Sequence, residues 1–95
     1  MPNPSAFNAA IARSTAAYEA AVTKMHTDMQ ITYTGDADND LAKGMIPHHE
    51  GAIAMANVVL QYGKNPDLRK FAEEVIKAQT GEVATLREWL VKNSK

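Results

Sequence analysis

The sequence has no cysteine, only 6% aromatic residues and a net charge of −1 over 95 residues. The absence of cysteine excludes disulfide scaffolds, thiol nucleophiles, thiolate zinc sites, cysteine-ligated iron–sulfur clusters and c-type haem attachment. The near-neutral charge provides no basic surface for nucleic acid. No apolar run approaches the roughly 20 residues of a membrane span, and no lipidation signal is present. We therefore expect one domain, residues 1–95, with a single core.

Apolar residues recur at three- and four-residue spacings along most of the chain, which predicts helices at about 4–31, 38–62 and 66–92. Polar turns separate these segments, and no strand alternation is seen. The fold class is therefore all-α, an antiparallel bundle of three long helices. Three helices leave a four-helix core incomplete, and a homodimer would complete it. The three stripes are Phe7, Ile11, Tyr18, Val22, Met25 and Met29; Leu41, Met45, His48, Ala52, either Met55 or Ala56, and Val59; and Leu68, Phe71, Val75, Gln79, Glu82, Leu86 and Trp89.

Local signals place the helix ends. Asn3–Pro4 and Asn65–Pro66 both combine an N-cap residue with a proline in the first turn, and Gly63 marks a helix end. Pro47 interrupts the second stripe, either as a kink in one helix or as the start of a new one. The stripe keeps its phase across the proline, so we predict one kinked helix. Gly81 lies in the middle of the third helix, which suggests close contact with another helix.

Methionine and histidine are concentrated in one part of the chain, since every His and every Met except Met1 falls within residues 25–55. An antiparallel hairpin turning near Gly35 should bring residues 25–29 level with residues 41–49, so that the two groups face one another. Met55 lies one heptad beyond His48, about 10 Å further along the helix axis. The predicted metal ligands are Met25, His26 and Met29 on the first helix, and Met45, His48, His49 and Met55 on the second.

Thioether sulfur is a soft, neutral ligand that suits Cu(I) and Ag(I), while imidazole suits copper, zinc, iron and nickel. A site without thiol cannot be lost to disulfide formation, which favours copper handling in an oxidising compartment. Gln79 and Glu82 share the inward face of the third helix. They either orient the imidazoles or supply an oxygen ligand, or they form a buried polar pair that fixes helix register.

The alternatives need no copper. Methionine on an apolar stripe is usually core, and His48 and His49 could place one ring inside and one in water. The chain would then be a structural or interaction module. A His/Met-ligated haem, in a pocket of small residues, is a further alternative, and zinc is less favoured. No enzyme is predicted, because the HExxH pattern that starts at His49 has Ile53 where its second histidine should stand, and no Glu-x-x-His pair occurs.

The string Gly44–Ala56 (GMIPHHEGAIAMA) resembles the central signature of the bacterial family named domain of unknown function 305. The flanking Tyr62–Gly63 connection, Gln79 with Glu82, and Trp89–Leu90 agree with it. The resemblance extends over about residues 25–90.

The resemblance implies a ferritin-like helical bundle that is usually exported to the periplasm or cell surface. Some members, the CopM-like proteins, bind Cu(I) and Ag(I) through methionine and histidine and contribute to copper resistance. By position, Met45, His48, His49 and Met55 match the motif, while Leu86 stands where members often have methionine. We therefore expect a copper buffer or carrier of the bacterial envelope. This sequence begins without an export signal, so a periplasmic or secreted location presumes that a signal peptide was removed, and the cytoplasm remains open.

Overall fold

The computed structural model describes the backbone of residues 5–93 and consists of three helices in that range. Helix α1 spans Ser5–Asp28, α2 spans Ala37–Tyr62 and α3 spans Pro66–Asn93. No strand occurs between residues 5 and 93. The predicted all-α bundle is confirmed. Met1 and the Asn3–Pro4 start signal lie outside the described residues, and so does the side chain of Phe7.

Helix α1 ends at Asp28, three residues before the predicted end at residue 31. The residues that follow form an irregular loop, which Asp40 on α2 holds in place. Its carboxylate accepts hydrogen bonds from the Thr34 backbone N–H at 3.0 Å and from the Thr34 hydroxyl at 2.9 Å. These bonds, the backbone one foremost, lower the pKa of Asp40. Gly35 completes the turn with a φ of 90°, which favours glycine.

Helix α2 runs unbroken through Pro47, so the alternative of a new helix beginning there is wrong. Asp36 caps the start of α2 by accepting from the backbone N–H groups of residues 38 and 39. Asn65 does the same for α3, accepting from the N–H groups of residues 67 and 68 at 3.0 Å each. Arg69 closes the other side of this turn by donating to the carbonyl oxygens of residues 60 and 63. None of the three helices is long and apolar enough, within the described residues, to cross a membrane.

The three helices form a layer with α2 in the middle. Helices α1 and α3 both pack on α2, and in the described part of the chain they make no backbone contact with each other. The backbone extends over 64 × 25 × 15 Å, which is elongated for 95 residues. The buried apolar residues are accordingly few and small: Ala42, Ala56, Val58 and Ala72.

The predicted inward stripe of α3 is only partly buried. Leu68 and Phe71 remain 58% and 60% exposed, and Leu41 on α2 is 62% exposed. Ala72, beside the stripe, makes the close contact instead and is buried. The reason is the layer arrangement, since α3 has one neighbouring helix rather than two.

The register between α1 and α2 differs from the prediction. Met25 packs against Gly51, and the Ile31 side chain approaches Gly44. Residues 25–29 are therefore level with about residues 47–51 rather than with 41–49. The shift arises because α1 ends early and an eight-residue loop, 29–36, makes the connection.

Two helical glycines have opposite surroundings. The predicted close contact at Gly81 is wrong, because a Cβ atom placed there would meet nothing within 4 Å. Gly51 is the crowded position. A Cβ there would lie 2.7 Å from Cγ and 3.0 Å from Cβ of Met25, and still closer to the sulfur. The absence of a side chain at Gly51 thus allows α1 to approach α2.

Candidate metal site

A buried polar side chain, His49, lies at the interface between α2 and α3. Its Nε2 atom is 2.7 Å from a carboxylate oxygen of Glu82. The residue is only 8% exposed, and its Nδ1 atom is buried without a protein partner. Met45, one turn earlier on α2, lines the same open cavity of about 310 Å³. The lining consists of Leu41, Met45, His49, Glu82, Thr85 and Leu86.

The contact with Glu82 determines which nitrogen of His49 is available. A neutral imidazole that donates from Nε2 to a carboxylate keeps the lone pair on Nδ1. Histidines that bind metals usually have this arrangement, with one nitrogen on the metal and the other N–H on a carboxylate or carbonyl. The carboxylate fixes the tautomer and the orientation of the ring. This contact is compatible with one of the roles predicted for Glu82, the orientation of an imidazole.

Gln79 lies one turn before Glu82 on α3, and its side-chain oxygen is buried without a protein partner. A buried amide oxygen without a hydrogen bond is costly, and in a native protein such an atom usually has a ligand or a water as partner. Thr85 was not singled out from the sequence. It lies three residues after Glu82, and this spacing could have placed it on the same face of α3. Its hydroxyl donates a hydrogen bond to the carbonyl of residue 81.

The two adjacent histidines take different environments. His49 is turned toward α3, whereas His48 is exposed. Their ring centroids are 6.1 Å apart, and the ring planes are tilted by 59°. One ring is thus buried and the other is in water, as expected if the chain were a structural module without a metal.

Met25 lies at the opposite interface, between α1 and α2. It lines a small depression with Lys24, Asp28 and Glu50. The Lys24 ammonium donates a hydrogen bond to Asp28, which raises the pKa of Lys24. This interface does not bring Met25 to the cavity of Met45 and His49.

The other predicted ligands are dispersed. His26 is exposed, and Met29, the first residue after α1, is half-buried. Met55 is 41% exposed and lines an apolar groove near Tyr18 and Phe71. The structure thus brings Met45 and His49 together, leaves His48 at the edge, and distributes the remaining four elsewhere.

Within residues 5–93, no group of three or more His, Asp or Glu side chains is arranged to hold a metal ion. The cavity between α2 and α3 offers instead one imidazole nitrogen, one thioether and one carboxylate already bonded to the imidazole. A metal ion in this cavity would have the soft thioether sulfur of Met45 and the imidazole of His49 as its protein ligands.

The family model described as "Domain of unknown function (DUF305)" matches residues 4–90. The chain belongs to this family. The match confirms the resemblance carried by Gly44–Ala56, and the structure places that DUF305 segment inside α2, where Met45 and His49 face α3. No curated protein matches the chain.

Proposed function

We propose that this DUF305 protein binds Cu(I), with Ag(I) as a surrogate, and acts as a copper buffer or carrier of the bacterial envelope rather than as an enzyme. The observation that supports this most directly is His49. Its Nε2 atom is held by Glu82, its Nδ1 atom is buried and unpartnered, and its side chain lines one cavity with Met45. Such an imidazole is already oriented for a metal.

The ligand types favour copper in its reduced state. Thioether sulfur discriminates in favour of Cu(I), and carboxylate or water ligands suit the hard ions magnesium and calcium. The exposed His48, adjacent to His49, provides a further imidazole through which the ion can enter from solvent. Only imidazoles compete with protons in such a ligand set, so acid should weaken binding.

An anaerobic Cu(I) titration against a chromogenic competitor tests the proposal. We expect Met45→Leu to weaken Cu(I) binding at least 10-fold, because leucine keeps the volume and removes the sulfur. Met25→Leu is the matched control. It makes the same chemical change at the other helix interface, and we expect it to leave the affinity unchanged.

The double variant His48→Ala/His49→Ala should abolish the competition. Failure of the unmodified protein to compete for Cu(I) would contradict the proposal. Equal affinities for the unmodified protein, Met45→Leu and the double histidine variant would contradict it as well. A larger loss in Met25→Leu than in Met45→Leu would move the site to the α1–α2 interface.

The envelope location is tested separately. We expect antibody detection in fractionated cells of the source bacterium to find the protein outside the cytoplasm. Recovery in the cytoplasmic fraction alone would remove the envelope part of the proposal and leave the copper chemistry untouched.

A further inference from the structure

The layer of three helices leaves one broad apolar surface uncovered. We call it the open face, and its principal residues are Leu41, Met55, Leu68, Phe71 and Leu86. On α3 the members Leu68, Phe71 and Leu86 lie within about 60° of one another around the helix. On α2, Leu41 and Met55 lie within about 40° of each other. The residues therefore share one side of the α2–α3 pair. The exposed side chains of His48 and Glu82 lie among them, and Leu41 and Leu86 also line the cavity of Met45 and His49.

We infer that a second copy of this chain covers the open face, making a two-fold symmetric dimer. Helical domains are ordinarily built of two layers that bury their apolar surfaces against each other. This chain supplies one layer, and among its described residues the buried hydrophobic side chains are the small ones of Ala42, Ala56, Val58 and Ala72. A second copy supplies the missing layer.

The size of the open face fits a dimer. Helix α2 has 26 residues. At 1.5 Å per residue and about 10 Å per helix diameter, the α2–α3 face measures about 40 by 20 Å, or about 800 Å². Stable protein interfaces bury about 800 Å² on each partner. The exposed large side chains at both ends, Leu41 and Phe71, indicate that the whole length is available.

Charge does not oppose a second copy. The start of α2, with Asp36, Asp38 and Asp40, lies at the same end of the layer as Arg87 and Lys92 near the end of α3. At the turn between α2 and α3, the basic residues Lys64, Arg69 and Lys70 are balanced by Asp67, Glu73 and Glu74. Both ends are therefore of mixed charge, and neither would repel a copy of this chain. The net charge of −1 per chain does not oppose association.

Sedimentation of the purified full chain in metal-free buffer tests this inference independently of the copper titration. We expect a mass of twice 10.3 kDa at micromolar concentrations. Phe71→Glu places a charge in the open face and should weaken dimerisation at least 10-fold. Val91→Glu is the matched control. Val91 is 78% exposed but lies about 160° around α3 from Phe71, so its variant should remain dimeric.

Crosslinking provides a measurement that does not depend on a disruptive variant. Because the chain has no cysteine, Met55→Cys introduces a single thiol near the middle of the open face. A short bismaleimide should join two Met55→Cys chains efficiently and two Val91→Cys chains poorly.

Three results would overturn the inference. One is an unmodified protein that sediments at the mass of one chain up to about 100 μM. Another is a dimer that Phe71→Glu leaves intact while crosslinking favours Val91→Cys. The third is a single chain whose open face binds an apolar dye, which would assign the face to a small apolar ligand.

Discussion

The contact between Gly51 and Met25 predicts a destabilising Gly→Ala substitution in the middle of a helix. In an open helical position this change stabilises by about 1 kcal/mol, because alanine has the better helix propensity. At Gly51 the new methyl group would lie 2.7 Å from Cγ of Met25 and closer to its sulfur. Overpacking costs about 1–3 kcal/mol, so the net expectation is a loss of about 1 kcal/mol.

Gly81→Ala is the matched control on α3, since a methyl group there meets nothing within 4 Å. It should stabilise by about 1 kcal/mol, so the two variants should differ by about 2 kcal/mol. For a chain of this size the difference corresponds to roughly 10 °C in thermal midpoint. Urea and thermal unfolding at one fixed protein concentration measure it, because association would make the midpoint depend on concentration.

A second substitution at Met25 separates the steric effect from any other cause. Met25→Ala made in the Gly51→Ala background removes the clash, so the loss caused by Gly51→Ala should be smaller there than in the unmodified chain. If Gly51→Ala stabilises the protein as much as Gly81→Ala does, the close approach of α1 to α2 at Gly51 is refuted.

Three further predictions concern single side chains. Glu82→Ala should destabilise by about 1 kcal/mol in urea unfolding, because His49 loses its hydrogen-bond partner, and Glu82→Gln should retain most of the stability. The pKa of Asp40 is lower in the folded protein than its unfolded value of 3.8, so Asp40 stabilises the fold above that value and ceases to do so as the pH falls through the folded pKa. In Asp40→Asn the free energy of unfolding should therefore depend less on pH between about pH 5 and 2 than in the unmodified protein. Pro47→Ala should raise the thermal midpoint, because an interior proline costs about 3 kcal/mol and lost ring contacts offset only part of this.

The helical architecture could be predicted from the sequence because helix signals are local. The spacing of apolar residues, the cap at Asn65 and the phase across Pro47 each depend on residues that are close together in the sequence. Each of these signals gave the correct element. The end of α1 was predicted three residues too late, because the loop after it is held by hydrogen bonds from Thr34 to Asp40 on the next helix, which the spacing of apolar residues does not show.

The relation between the helices could not be predicted in the same way. Periodicity identifies the apolar side of a helix but does not identify the neighbour that covers it. It could not show that Met25 packs on Gly51, or that His49 faces α3 while His48 faces solvent. Gly81 gave a misleading signal for the same reason, because only an inter-helix contact distinguishes it from Gly51.

The placement of α1 at one edge of the layer has a consequence for the order of local unfolding. Helix α1 packs on α2 alone, and its loop is held chiefly by Asp40, whereas α2 and α3 share the longer interface. Segments with few tertiary contacts open at a lower free-energy cost than the rest of a domain. We expect the backbone amides of α1 to exchange with deuterium faster than those of α2 and α3. Transient release of α1 would expose Met25 to solvent while the α2–α3 hairpin stays folded.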